Sequence, residues 1–296
     1  MESGGLVLQE YRRKRLKKRQ QQRKLFVILG FLVILASIAG FYIHYQEKKT
    51  ADAGKFIHQG TSTYYEVGSK KIKAKGLQKI QGNDYYFDST TGIMQTGFQM
   101  VNGKQYYFDA TGKRAEGLRQ INGYYYYFTA NGTDDVLKAY EAVAQSVNSG
   151  NSVIEQTIKA GLKLVGNSPY VYGGGRTNAS VAKNQYDCSS FVAEMYRLGG
   201  KSLVYQYAAS TTLLAETGTL VAWGNKSRGD LLVTAADATE DEQHVAIYLG
   251  DGFILHDSTS TKGVAVSRLN QVINKKVLGN MTWADLFEQG TVRREV

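Results

Sequence analysis

Tyr186-Asp187-Cys188-Ser189-Ser190-Phe191-Val192 holds the single cysteine of a 296-residue chain. Phe191, Val192, Met195, Tyr196 and Leu198 recur with a helical period that closes at Gly199-Gly200. Asp187 suits the N-cap of that helix, so Cys188 falls in its first turn. Backbone N–H groups and the helix dipole favour a thiolate at such a position. The chain reads as exported, on grounds given below, and exported proteins usually use cysteines in pairs. A lone cysteine closes no intrachain bridge. It is either buried filler or a reactive thiol, and filler would more often sit mid-helix on the apolar face.

Downstream stand two of only four histidines, His244 and His256. His244 to Leu249 alternates as a strand, Gly250-Asp251-Gly252 turns the chain, and Phe253 to Asp257 returns. A two-residue loop at Asp251-Gly252 is the stronger local turn signal and puts the histidines on opposite faces. A three-residue loop over 250–252 pairs Leu249 with Phe253 and sets His256 against Ala246, on the His244 face. A thiol with an imidazole base needs the second arrangement, so the expectation is the three-residue loop. Upstream, Ser152-x-x-Glu155 reads as a capping box for a helix running to Val165, and Pro169 follows as a stop. Gly229-Asp230-Leu231-Leu232-Val233 reads as the start of a buried strand.

The formal net charge of +10 is concentrated at one end. Residues 1–24 hold nine Lys and Arg against Glu2 and Glu10. This is a basic tail rather than a binding face, and no nucleic acid is expected as a partner. Leu25 to Tyr45 then run 21 residues without a charge, enough to cross about 30 Å of hydrocarbon as a helix. The cations before it place residues 46–296 outside the cell and make the membrane a partner through 25–45. The alternative is a signal peptide cleaved after Ser37-Ile38-Ala39.

Residues 60–133 form an aromatic array. Tyr85-Tyr86-Phe87 returns as Tyr106-Tyr107-Phe108 and Tyr126-Tyr127-Phe128, with glycines in step, and Tyr64-Tyr65 marks a degenerate first copy. Gln99-Met100-Val101 and Gln105 to Phe108 flank Asn102-Gly103, the signature of a β-hairpin with a type I′ turn. One hairpin buries too little surface alone, so the copies must stack. Tyr85, Tyr86, Phe98, Tyr106, Tyr107, Tyr126 and Tyr127 are the candidate ligand residues, since aromatic faces hold sugar rings or cationic headgroups. The repeat resembles the cell-wall and glucan-binding repeats of Gram-positive surface proteins. It has no Trp, which favours glucan or another wall polymer such as a teichoic-acid-like one over choline.

Residues 152–294 are similar to the NlpC and p-sixty cysteine peptidases. The resemblance rests on Pro-Tyr-Val-Tyr-Gly-Gly at 169–174, Asp-Cys-Ser at 187–189, Gly-Asp-Leu at 229–231, His-Val-Ala-Ile-Tyr-Leu-Gly at 244–250 and the position of His256. Ser190 departs from the family's frequent Gly, and the loop 175–186 is long. The resemblance implies an α+β, papain-like domain with a helix-borne cysteine on an antiparallel sheet. It implies Cys188 as nucleophile, His244 as base and His256 as its orienting partner, with Tyr170, Asp187 and Ser189 lining the oxyanion and substrate region. It implies cleavage of γ-D-glutamyl–diamino acid bonds in peptidoglycan, without metal or cofactor. The whole chain then reads as tail 1–24, anchor 25–45, linker 46–59, repeats 60–133, helical spacer 134–151 and peptidase 152–296. The rival readings are an amidase or acyltransferase on the same fold, and a non-catalytic wall-binding protein.

Overall fold

The computed structural model describes residues 54–296 and, before them, Lys17, Gln21, Lys24, Gly30, 32–40 and Tyr42. Ten of the 21 residues of the expected span 25–45 therefore lie outside the described residues. Within it 32–40 are helical, and Leu32, Val33, Ile34, Leu35 and Ile38 are exposed. Among the described residues no helix is long and apolar enough to cross a membrane.

Two compact units follow. The first reaches Thr96 and includes Ala110–Lys113; the second is Gly97–Asp109 with Arg114–Val296. In the first, β1 (Lys55–Gln59) pairs with β2 (Ser62–Val67) and β2 with β3 (Ile72–Lys73), while β4 (Gly76–Ile80) pairs with β5 (Asn83–Phe87) and β5 with β6 (Met94–Gln95). The array thus begins at Lys55, within the stretch read as linker. The second unit opens with hairpins β7 (Gly97–Val101)–β8 (Lys104–Phe108) and β9 (Gly117–Ile121)–β10 (Tyr124–Phe128). Asn102 and Gly103 both take positive φ, 51° and 74°, as a type I′ turn requires.

The array's aromatics divide their work. Phe56 packs on Tyr65 at 4.9 Å and on Tyr85 at 5.2 Å. In the second unit Phe98 packs on Tyr107 at 4.9 Å and on Tyr126 at 5.2 Å, and Tyr107 stacks on Phe128 at 5.9 Å. The same three-ring cluster therefore recurs two periods apart. Tyr85 and Tyr126 are only 6% and 7% exposed, so these two candidate ligand residues are chiefly core. Tyr86, Phe98, Tyr106, Tyr107 and Tyr127 stay half-buried.

The rest of the second unit is a six-stranded sheet in the order β11 (Thr219–Val221), β16 (Thr291–Arg294), β12 (Leu231–Val233), β13 (Val245–Gly250), β14 (Phe253–Ser258), β15 (Gly263–Arg268). Every pairing is antiparallel. Both faces are covered, which is why β13 and β14 are buried at every position. Val245, Ile247, Leu249, Phe253 and Leu255 meet α1 (Val136–Val143), α2 (Ser152–Leu162) and the cysteine helix α4 (Cys188–Leu198). Leu232, Ala246, Ile254 and Val292 meet Trp283, Leu286 and Phe287 of α6 (Trp283–Glu288) on the other face. Two short helices, α3 (Asn178–Ala182) and α5 (Thr211–Leu214), sit in the loops around α4.

Three local readings need correction. The N-cap of α2 is Asn151, which accepts from Val153 N and Ile154 N at 2.9 and 3.3 Å. Glu155 instead accepts from Ser149 and from Arg228, whose guanidinium holds its carboxyl down at about 2. The helix ends at Leu162, and turns carry the chain on to Gly166. Lastly, α1 is no spacer: Ala139, Tyr140 and Val143 are buried in the main core.

Hairpin β9–β10 is docked on this domain. Tyr125 and Tyr127 pack on one core cluster and Tyr124 on the other. Arg268 forms a buried, two-pronged ion pair with Asp134 and lies 4.0 Å above the Tyr126 ring, and Asn270 Nδ2 donates to Tyr126 Oη at 2.8 Å. Removing one partner of a buried pair leaves an uncompensated charge. Arg268→Ala is therefore expected to destabilise this unit by about 3 kcal/mol in chemical denaturation. Arg268→Lys should recover little of it, since an ammonium cannot span both carboxylate oxygens. A loss below about 1 kcal/mol would show that the ring packing alone holds the hairpin.

Candidate active site

Asp187 caps α4 as the sequence indicates. Its carboxylate accepts from Ser190 N at 3.0 Å, and Ser190 Oγ accepts from Asp187 N in return. Its other oxygen accepts from Gly173 N at 3.2 Å and is ion-paired with Arg176. Arg176 also donates to Gly174 O, Ser189 Oγ and Ala209 O. The loop 170–176 is thereby pulled down on the first turn of α4. Only glycine tolerates that approach at 175: φ is 72°, and a Cβ would come within 2.5 Å of Ser190 Oγ. The loop's other end is fixed by Val171 N donating to Tyr186 O at 2.7 Å. Tyr170 is left beside Cys188, and both line a cavity of about 300 Å³ with Tyr172 and Ser189.

The two histidines meet, but not by the expected loop. The turn is the two-residue Asp251-Gly252, with both residues at positive φ, and Gly250 faces Phe253. A bulge at Leu249 then absorbs one residue, so Ile247 pairs with Leu255. Arg228 satisfies the displaced Leu249 carbonyl at 2.7 Å. The register beyond the bulge is the one that puts His256 opposite Ala246. His244 Nε2 lies 2.8 Å from His256 Nδ1, and His256 Nε2 lies 2.9 Å from Ser267 Oγ. Trp283 covers both rings at 5.0 and 4.5 Å. His244 lines a cavity of about 290 Å³ bounded by Tyr170, Tyr172 and Gln243, residues that also bound the Cys188 cavity.

Burial overrides the helix dipole here. It pushes the Cys188 thiol up to about 12, with the Asp187 carboxylate adding to the rise and backbone N–H of Val245 and Ser189 opposing it. Burial also lowers His244 well below 6.5, aided by His256, and lowers His256 to about 3. The resting pair is thus a thiol and a neutral imidazole rather than the thiolate expected from the helix start. If His244 Nε2 carries its proton toward His256 Nδ1, then His256 Nε2–H points at Ser267 and His244 Nδ1 is left as the free base. Tyr170 is held protonated by burial, then by Cys188 and Asp187, and so remains a hydroxyl donor.

Four contributors escaped the sequence reading. Arg176 lies just outside the glycine motif, and Trp283 stands far along the chain from the histidines it covers. Ser267 reaches His256 only because β15 pairs with β14. Asp257, next to His256 but on the α4 side, is fully buried with neither oxygen hydrogen-bonded, and burial plus the Asp187 charge raise it to about 8. Among the described residues no group of three or more His, Cys, Asp or Glu gathers to hold a metal ion.

Two outcomes follow from these environments. Because His244 is neutral down to pH values well under 6.5, the acid limb of kcat/KM should lie below 6.5, and a limb above it would contradict the geometry. Asp257 has its folded-state pKa raised, so the stability present below pH 3.8 is lost as pH rises through about 8. Asp257→Asn should therefore melt higher than the parent at pH 9, with the gap closing toward pH 4; an equal gap at both would mean that no charge is buried.

Comparison with known proteins matches three segments of the chain. Residues 166–282 match the NlpC/P60 family, 74–116 a choline-binding repeat and 116–133 a putative cell wall binding repeat. The chain is similar to "Peptidoglycan DL-endopeptidase CwlO" of Bacillus licheniformis, 37% identical over 51% of this chain and 30% of that protein. It is similar to "Murein DD-endopeptidase MepS/Murein LD-carboxypeptidase" of Escherichia coli, 35% identical over 32% of this chain and 47% of that one. It is also similar to "Gamma-D-glutamyl-L-lysine dipeptidyl-peptidase" of Bacillus subtilis, 27% identical over 47% and 43%. The chain thus spans less than half the length of each of these curated relatives. What the residues and the comparisons agree on is a chain that joins an NlpC/P60 family domain to choline-binding-type cell wall repeats.

Proposed function

We propose that this chain is a cell-wall hydrolase that cuts peptidoglycan stem peptides at a γ-D-glutamyl–diamino acid bond. The observation that carries the reading is the hydrogen-bonded run His244–His256–Ser267 beside a helix-borne Cys188. One relative named as a peptidoglycan DL-endopeptidase and another named as a γ-D-glutamyl-L-lysine dipeptidyl-peptidase support it. Since the thiol is not ionised at rest, the proton leaves as sulfur attacks. His244 Nδ1 takes the Cys188 proton while Sγ bonds to the carbonyl carbon. The oxyanion is met by the Tyr170 hydroxyl and by backbone N–H at the start of α4. His244 then gives its proton to the leaving amine, and a thioester remains. Water, deprotonated by His244, cleaves that ester and restores the thiol. His256 fixes the tautomer and orientation of His244, and Ser267 fixes His256. Asp187 acts through its cap and Arg176 rather than by touching the scissile bond, and Ser189, tied to Asp187 and Ala209 O, borders the cleft.

The repeats hold the enzyme on a wall polymer. Their three-ring clusters suit a sugar face or a cationic headgroup, and the match to choline-binding repeats returns choline to the candidates. Residues 25–45, uncharged and preceded by the basic tail, anchor the chain in the membrane with the hydrolase outside.

Digestion of purified muropeptides followed by mass spectrometry tests the reaction. The expected products are a disaccharide dipeptide and a fragment starting at the diamino acid. Cys188→Ala and His244→Ala should each lower the rate by at least ~10³-fold, whereas His256→Asn should keep measurable activity because Asn can still hydrogen-bond His244. Products cut at the lactyl amide would make the chain an amidase instead, and an undiminished Cys188→Ala would remove the thiol mechanism.

A further inference from the structure

Resting on the reading as a wall peptidase, we infer that its peptidase domain carries a second, non-catalytic site that receives the glycan strand, built around Tyr205 and Tyr207. These residues border a cleft of about 740 Å³, larger than either cavity at the thiol or the imidazole. Tyr205 is 73% and Tyr207 36% exposed, with ring centroids 5.6 Å apart and planes at 83°. Exposed aromatics paired at the mouth of a cleft offer apolar faces with polar rims, the chemistry that sugar rings present in return. The rest of the lining fits the same ligand. Asn178, Ser202 and Gln206 supply amide and hydroxyl groups, and Arg197 is pinned by Glu194 through two bonds of 2.7 Å. That pairing uses two of five guanidinium donors and cancels the local charge, so the cleft suits a neutral, hydroxyl- and amide-rich ligand rather than a strongly charged one.

The placement ties this cleft to catalysis. Helix α4 carries Cys188 at its first position, and Arg197 follows nine residues on, about 13 Å along the axis. Two loops separate the cleft from the thiol cavity, and both line both spaces: Arg176 and Ser210 face the thiol, while Asn178 and Tyr207 face the cleft. They are stitched by Arg176 to Ala209 O and by Tyr207 Oη to Asn178 Oδ1, and Gln206 Nε2 donates to Ser190 O at 3.2 Å. In a stem peptide, the lactyl group, one residue and a γ-linked glutamyl residue put about eleven bonds between the sugar and the scissile carbonyl, roughly 13 Å when extended. A surface at that distance from the thiol meets the sugar and not the residues that flank the scissile bond. Sugar bound there presents its attached peptide to Cys188 across the partition.

The test compares substrates with and without sugar on the full chain. For Tyr205→Ala/Tyr207→Ala, kcat/KM on a free stem peptide should match the parent, while on the same peptide attached to a disaccharide it should fall about ten-fold, mainly through KM. Tyr207→Phe, which keeps the ring, should retain most of the activity on the sugar-linked substrate. In Cys188→Ala protein, a peptide-free GlcNAc–MurNAc oligomer should shift the NMR signals of Tyr205, Tyr207 and Arg197. Equal losses on both substrates, no loss on either, or no shift at these residues would overturn the glycan site. A parent enzyme that cleaves neither substrate would instead overturn the peptidase reading on which it rests.

Discussion

The buried carboxylate of Asp187 is the constraint on which the site depends. A charge in that position is tolerable only if its oxygens are fully engaged. The start of α4 supplies one set of donors, and Gly173 N and Arg176 supply the other. Satisfying this one group therefore fixes three things together: where the helix begins, how the glycine loop lies on it, and where Tyr170 stands relative to Cys188. Arg176 extends the constraint to Ala209, so the loop before α5 is set by the same ion pair. The cleft walls on either side of the thiol are thus anchored to a single carboxylate.

The second element of the site is held by strand pairing. The bulge at Leu249 corrects the register by one residue, and without it His256 would face α4 instead of His244. Arg228 stabilises the bulge by taking the freed carbonyl, and it also grips Glu155 on α2 and the Tyr140 hydroxyl on α1. Helices on one face of the sheet thereby support an imidazole pair on the other. Trp283 and Phe287 close that pair from solvent. The same dryness makes both imidazoles weak bases and the thiol a weak acid.

Docking of β9–β10 makes the last repeat part of the architecture of the domain that carries Cys188. Tyr126, in the recurring Tyr-Tyr-Phe triplet, is covered by Arg268 and Asn270. The equivalent ring in the first unit, Tyr85, packs with Phe56 and Phe87. A repeat position can therefore be aromatic for packing in one copy and for docking in another, which sequence periodicity cannot separate.

Much was legible in the chain itself. The period of Phe191, Val192 and Met195 and the capping Asp187 placed Cys188 at a helix start, because capping and amphipathicity are local properties. The Asn102-Gly103 hairpin was legible because only a few residues tolerate paired positive φ. The NlpC/P60 character was carried by short contiguous motifs around Cys188 and His244. Tertiary structure decided the rest. Whether His244 and His256 met depended on a bulge whose cost is offset by Arg228, 21 residues away from Leu249. Ser267, Arg176 and Trp283 joined the site through strand pairing and loop packing, which leave no local trace. The protonation of Cys188 was set by desolvation, and desolvation depends on everything packed around the thiol rather than on the residues beside it in sequence.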